Sequence, residues 1–496
     1  MRNKITQIIS AILLLAFILS ACSAIAPAPT ETPTVTPSPT ATVTPIPTAT
    51  STPTATPIPA PERATYTLNT TIDYDAHTVT VDQTIVYPNH TGGQLNALVL
   101  AVEPNLWAGG FTLSGISLDG TPITTYSLDG QRLNIALSSF FQPEHVMTIN
   151  LQYSLVLPFA EQADPADSRP RIYGYTKRQM NLTNWYPFVV PFINGDWVLH
   201  EPWYYGEHLV YDAADYEVNL KFADPATAPI VAASGVPEPQ ADFTRYTITS
   251  ARAFALAASR DFQVSTTQVG DVSLSSYYFP LSNAAGDAAL KASAEALQLY
   301  GQKYGPYPHK TLAIVMGDFN DGMEYSAFFY LARDFYGGLY DGTPANYLTF
   351  VAVHETSHQW WFEQVANDQA QQPWLDESLA TYSERLYYET LHPDLVSWWW
   401  IYRIDYYKPQ GFVDTPIYDG QGFRPYTNAA YFEGAHFLED LRVRIGDEAF
   451  FAFIQDYLAQ GKGKIVNSDD FFRILKTHTS TDYSDLVRQY FQNIYQ

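Results

Sequence analysis

From Tyr66 to about Val264 apolar and polar residues alternate over short runs, as in YTLNTTIDY (66–74), HTVTVDQTIVYP (77–88), HVMTINLQYSLVL (145–157) and YEVNLKF (216–222). A period of two places alternate side chains on one face of a strand. Turn pairs such as Asp119-Gly120, Asp129-Gly130 and Asn194-Gly195 separate the runs. The pattern predicts an all-β, sandwich-like domain over residues 64–270. The aromatic stretch 184–206 is too irregular for a plain strand run; it is read as core, with a wall facing the second domain as the alternative. Past residue 270 the period changes. An alanine-rich helix is predicted over 282–301, a buried strand over 310–316, and helices over 428–443, 447–458, 469–478 (capped by Ser468) and 485–494.

Between these lies the stretch 351–377, VAVHETSHQWWFEQVANDQAQQPWLDE. His354 and His358, at i and i+4, stand one turn apart on one face of a helix, so their imidazoles converge on one point, with Glu355 beside them as a base. Tyr347, Val351, Trp361 and Val365 fall on the stripe that carries the histidines. Pro373 closes the following loop, and a second helix over 375–390, stopped before Pro393, carries Glu377 in its first turn. Two histidines, one carboxylate and a place for water form a hydrolytic zinc set. One zinc ion held by His354, His358 and Glu377 is expected.

Composition narrows the partners. Lys and Arg number 27 against 51 Asp and Glu, a net charge of −24, which excludes the cationic footprint of a nucleic-acid binder. Residues 1–22 read as an address: Arg2 and Lys4, an apolar run from Ile8 to Leu19 too short for a comfortable span, then Leu19-Ser20-Ala21-Cys22, which resembles a bacterial lipobox. Cleavage before Cys22 and lipidation of its thiol would anchor the chain outside the cytoplasm on a bacterial membrane. Ordinary secretory cleavage is the alternative. Cys22 is the sole cysteine, so no intramolecular disulfide is possible and the metal set contains no thiolate. Residues 23–63, almost wholly Pro, Thr, Ala and Ser, read as a disordered tether, extended at about 3.1 Å per residue to roughly 100 Å; a glycosylated stalk is the alternative.

HETSHQWWFEQV with WLDESLATY, DGMEY some 30 residues upstream, YGPYP before it, and YFEGAHFL downstream resemble the gluzincin aminopeptidases, the family of aminopeptidase N and leukotriene hydrolase. The resemblance covers roughly residues 66–460. It implies a β domain followed by a thermolysin-like α+β zinc peptidase domain, here 271–496, that ends in helices. It also implies roles: His354, His358 and Glu377 bind zinc, Glu355 is the general base, and Tyr431 stabilises the oxyanion. Glu324, with Gly322 and Met323 in the exopeptidase motif, holds the substrate's free amino group. Gln179 is the β-domain candidate for a second amine contact; Thr381, four residues after Glu377, could back a ligand, though a helix-facing threonine needs no such role, and His436 on the tyrosine helix reads as a polar surface residue rather than a ligand. Asp321 and Tyr325 depart from the GxMEN pattern, Glu433 replaces the lysine of YxKG, and Ser378 stands in place of a glycine. The chain also ends soon after the tyrosine helix, so a more open cleft is expected. A surface zinc aminopeptidase acting on peptides with free N-termini is the expected function. The alternatives are an open-cleft zinc endopeptidase and a catalytically silent peptide-binding module.

Overall fold

The computed structural model describes residues 61–160, 172–320, 322–419 and 421–495. The expectations for residues 1–22, and for the tether up to residue 60, lie outside the described residues. Among the described residues no helix is long and apolar enough to cross a membrane.

The alternation seen in the sequence becomes an eight-stranded sheet. Its strand Ala64–Asp73 runs antiparallel to Thr78–Pro88 and parallel to Ala214–Phe222. Tyr66, Leu68, Thr70 and Ile72 face inward from one strand, and Val79, Val81, Gln83, Ile85 and Tyr87 from the next. Gln83 is polar in that buried row because both ends of its amide are satisfied: Nε2 donates to Pro187 O (2.6 Å) and Oε1 accepts from Tyr153 Oη (2.8 Å). Two four-stranded sheets share this core, one containing Leu95–Ala101 and Arg132–Phe141, the other Met180–Leu182 and Leu256–Ser259. The aromatic stretch supplies core, as expected, and part of it also packs on the second lobe, the alternative reading. Trp185, Tyr186 and Phe188 enter the β core, while Tyr205 packs with Ile417 and Tyr426 of the helical lobe.

The second lobe opens with a five-stranded sheet, ordered Gln263–Val269, Val272–Tyr278, Thr311–Met316, Phe328–Leu331, Met323–Tyr325. The expected boundary at residue 270 falls in the turn of its first hairpin, so Gln263–Val269 belongs to this lobe by pairing. Behind the sheet lies α1 (Asn283–Lys303); α2 (Tyr347–Ser357) and α3 (Trp374–Leu391) carry the metal motif. Then follow α4 (Gly434–Ile445), α5 (Asp447–Gly461), α6 (Ser468–His478) and α7 (Ser484–Tyr490). The observed architecture is the expected one, a β-rich domain followed by a helical region.

Local corrections have identifiable causes. α2 stops at Ser357 with His358 as its cap, so Trp361 and Val365 lie past the helix, joined by a β-bridge, and do not extend the histidine stripe. The Ser357 and Thr356 hydroxyls donate to the carbonyls of His354 (2.7 Å) and Ala352 (2.7 Å), competing with the helical ladder at its end. α6 is capped by Asn467, not Ser468: Asn467 and Asp470 form a reciprocal capping box. α7 ends at Tyr490 because the next amides go elsewhere, those of Gln492 and Asn493 to the Asp414 carboxylate. The helix expected over 428–443 begins as a π turn, Asn428–Glu433, before α4.

Candidate metal centre

α2 is buried on nearly every side, including Phe350, Ala352, Val353, His354 and Glu355, which is why its apolar residues are not confined to one stripe. Asn346 caps it through Thr349 N (2.9 Å). α3 presents Glu377 in its first turn, where the helix dipole favours a carboxylate.

His354 Nε2, His358 Nε2 and a Glu377 oxygen meet at one point. The nitrogens are 3.1 Å apart, and Glu377 Oε2 lies 3.2 Å from His354 and 3.6 Å from His358. Each histidine's other nitrogen donates to an obligate acceptor, His354 Nδ1 to Glu384 Oε1 (2.9 Å) and His358 Nδ1 to Trp361 O (2.9 Å). The neutral rings therefore turn two lone pairs and an anion toward the same space. The edge of a tetrahedron with bonds of about 2.0–2.1 Å is about 3.3–3.4 Å, and the three observed separations bracket that value. The donor set fits one zinc ion. If protons filled this role instead, His354 would be pushed up to about 9: burial lowers it, and the Glu377 and Glu384 carboxylates more than reverse that. Burial likewise opposes the charge on Glu377, yet bonds from both histidines hold it well below the carboxylate range. The pocket demands positive charge.

Glu355 is buried, and its Oε2 has no hydrogen-bond partner among the described residues. Burial pushes its carboxyl up to about 8, against the pull of both histidines. A methyl on Gly322 would stand 2.5 Å from Glu355 Oε1, so the glycine keeps space beside the base. Glu324, on the edge strand Met323–Tyr325, also closes on this point: ligand atoms of Glu324, Glu355 and His358 lie within 4.8 Å of one another. Met323 beside it lines the cleft, while Asp321 lies outside the described residues. Tyr325, in place of the motif's asparagine, is buried, and its carbonyl accepts from Gln359 Nε2 (3.0 Å).

Tyr431 sits on the π turn, its ring parallel to that of His354 with centroids 6.0 Å apart. Burial and the Glu377 carboxylate raise its phenol well above the usual value, so it stays a hydrogen-bond donor. Ser378 explains itself here. Its hydroxyl donates to Ala430 O (2.6 Å) on the tyrosine's turn, and Gly434 admits it, since a Cβ there would lie 1.9 Å from Ser378 Oγ.

Several residues complete the site that the sequence reading did not single out. Gln369 Nε2 donates to both Glu324 Oε1 (2.9 Å) and Asp376 Oδ2 (2.9 Å), fixing the Glu324 carboxylate. Glu384 anchors His354 from behind and is itself held by Arg403 (2.9 and 3.0 Å) and Trp399 Nε1 (2.9 Å). Glu384 lies seven residues after Glu377, two turns along the same face, a spacing that marks it in the sequence; nothing comparable marks Gln369 or Arg403. Three further residues make no hydrogen bond to the ligand set among the described residues. Thr381 Oγ1 makes no hydrogen bond among the described residues. Gln179 bonds Met316 O (3.3 Å) and Asp318 N (2.6 Å) and is not among the residues lining the cleft. His436 bonds Asp405 (3.0 Å) and stacks on Trp400. The cleft over the metal centre has a volume of about 1040 Å³.

Residues 288–490 match the peptidase family M1 domain. A human endoplasmic reticulum aminopeptidase 1 is 25% identical over 275 residues, which cover 52% of this chain and 29% of that protein. The chain thus spans under a third of that relative's length. Among solved structures, an M1 zinc metallopeptidase from Deinococcus radiodurans superposes with a TM-score of 0.62 at 18% identity, covering 87% of this chain and 93% of that one. A mutant of that enzyme has been crystallised with a Tyr-Ser-Ala substrate. Legionella pneumophila aminopeptidase A, in complex with aspartic acid, superposes with a TM-score of 0.62 at 16% identity, covering 86% of this chain and 49% of that one.

Proposed function

We propose, from the premise that residues 288–490 are a peptidase family M1 domain, that this chain is a zinc aminopeptidase releasing N-terminal residues from peptides. The observation that carries the reading is the convergence of His354, His358 and Glu377 at tetrahedral-edge separations, with two buried carboxylates, Glu355 and Glu324, beside them. Zinc held by the three ligands would polarise the scissile carbonyl and acidify a water toward a pKa of about 7. Glu355 takes the proton of the attacking water and delivers it to the departing amine nitrogen. Tyr431 donates its hydroxyl hydrogen to the developing oxyanion, a contribution of about 2.7–4 kcal/mol. Glu324, held by Gln369, pairs with the substrate ammonium and closes the cleft to chains that continue past it.

Cys22, lipidated after signal cleavage, would hold the enzyme on the outer side of a bacterial membrane at the end of the Pro/Thr-rich tether. Mass spectrometry of the N-terminal fragment tests the anchor; a Cys22→Ser chain that stays with the membrane fraction would overturn it.

The activity is tested on aminoacyl arylamides and on paired free and N-acetylated peptides. Turnover lost to chelator, restored by zinc and abolished in Glu355→Ala with metal retained is the expected result. An N-acetylated peptide cut as fast as its free twin would replace the exopeptidase reading with an endopeptidase.

A further inference from the structure

The eight-stranded sheet has a second face, turned away from the β core, and one row of residues crosses it in register. Asn219 of Ala214–Phe222 is paired with Asn69, Asn69 with Asp82, Asp82 with Gln152 of Val146–Val156, and Gln152 with Gly115 of Phe111–Leu118. Asn69, Asp82 and Gln152 are exposed, alternating with the buried Leu68, Val81 and Leu151. A groove of about 570 Å³ lies over this row, lined from Asn219 and Lys221 at one end to Ser114 at the other, with Asp242 and Phe243 beside it. It crosses five strands. Four strand spacings of about 4.8 Å make it about 19 Å long. Ser114 is the extra residue of a β-bulge, and its hydroxyl donates to Gln152 O (2.9 Å). Gly115 beside it leaves room for the Gln152 amide, since a Cβ there would stand 3.1 Å from Gln152 Oε1.

The polar groups of this groove are not spent on one another. Among the described residues the side chains of Asp82, Gln152, Lys221 and Asp242 make no hydrogen bond or ion pair. Asn219 Nδ2 donates to Asn69 Oδ1 (3.0 Å) and Glu217 Oε1 (3.1 Å), yet its Oδ1 is buried with no partner among the described residues. One row along the same face, Asn150 Nδ2 does pair with Thr84 Oγ1 (2.9 Å). A buried acceptor without a donor is costly, and a ligand hydroxyl would supply one. We propose that this groove binds a neutral, extended, β-linked oligosaccharide. Each sugar hydroxyl donates and accepts, and the amides of Asn69, Asn219 and Gln152 offer both roles in return. Two carboxylates and one ammonium give no strong net charge to select an ion, and half-buried Phe243 offers its ring to the C–H face of a sugar. A β-linked chain is a straight ribbon whose residue length is close to the strand spacing, so successive sugars meet successive strands. An α-linked chain coils away from such a row.

The full chain is titrated by calorimetry with cellohexaose, chitohexaose and maltohexaose, and with the shorter cellulose oligomers. Expected is saturable binding of cellohexaose or chitohexaose, with maltohexaose at least tenfold weaker. Affinity should rise from the disaccharide to the tetrasaccharide and level off beyond it, as four strand spacings require. Comparing the two β-linked hexamers shows whether acetamido groups are taken as well as hydroxyls. Gln152→Ala and Asn69→Ala, both at exposed positions, should each weaken binding by about 2- to 10-fold, the worth of a neutral hydrogen bond. Arylamide turnover of the same samples should stay at the parent value, which reports a folded chain, and chelation of zinc should leave saccharide binding as it was. No saturable binding of either β-linked hexamer, binding unchanged in both variants, or maltohexaose bound as tightly would overturn the inference. None of these results bears on the aminopeptidase reading, which stands or falls on turnover.

Discussion

Glu384→Gln tests how much of the metal centre is built from behind. The carboxylate accepts four N–H groups: His354 Nδ1 and Arg403 Nη2 on Oε1, Trp399 Nε1 and Arg403 Nε on Oε2, all between 2.9 and 3.0 Å. It is buried, and burial disfavours its charge, yet Arg403 and His354 hold its carboxyl below the usual glutamate value. A glutamine has one acceptor oxygen and one NH2. Whichever way it turns, two of the four donors face another donor and two charge-assisted bonds are lost, at about 1.5–3 kcal/mol each. Arg403, whose side chain is largely buried, is also left without its anion, for which loss of one partner costs up to about 3–5 kcal/mol; the two figures describe one loss and are not summed. At the metal, a loosened His354 should lower zinc affinity by about 10- to 100-fold, equivalent to about 1.4–2.8 kcal/mol. Competition with a fluorescent chelator gives the affinity, and urea unfolding of the metal-free chain gives the stability. A folded Glu384→Gln chain that binds zinc within twofold of the parent would refute the claim that this carboxylate sets the orientation of His354.

Three further outcomes follow from other contacts. Gly434→Ala drives a methyl into Ser378 Oγ, and overpacking should cost about 1–3 kcal/mol or more and depress kcat by displacing the Tyr431 turn; adding Ser378→Gly should recover both, and no recovery would break the link. Gln369→Leu leaves Glu324 and Asp376 without their shared donor, so kcat/KM on arylamides should fall by roughly 10- to 100-fold, by the worth of hydrogen bonds to charged groups; an unchanged value would show that Glu324 needs no such support. Arg442 bonds Glu389 and Asp447 through both edges, and its hydrogen bonds hold both carboxyls below their usual values. Because those folded pKa values are depressed, the stabilisation is present above the unfolded carboxylate range of about 4 and is lost as pH falls through the folded values. Arg442→Met should cost about 1–2 kcal/mol at neutral pH, discounted from the buried-pair figure because the carboxylates are partly exposed. Its melting temperature should fall less steeply than the parent's on acidification, and parallel curves would refute the linkage.

What was legible in the sequence was what repeats or is spaced by a helix. The β lobe could be read because one face of each strand is buried, so Leu68, Ile72, Val79 and Ile85 had to alternate with polar neighbours. His354, Glu355 and His358 could be read because one helical turn is a fixed distance, and Glu377 because a helix start at Pro373 is marked by its own chemistry. The rest depends on contacts between segments far apart in the chain. Gln369 lies in a turn with no period, and Arg403 reaches Glu384 from a π-helical segment, Trp399–Ile404. The two π segments fall where Trp399, Arg403 and Tyr431 must be aimed inward at residues of α2 and α3. A regular α-helix through 428–443 would rotate Tyr431 away from the register it holds over His354, and local propensity contains nothing that distinguishes the two. Ser378 and Gly434 show the same division more sharply. Each alone reads as an exception to a motif, and only the separation of 1.9 Å between one's hydroxyl and the other's missing methyl shows that they are a single adjustment. Side chains whose roles are fixed by one element are therefore visible before folding, and those that hold two elements in register become visible only when the elements meet.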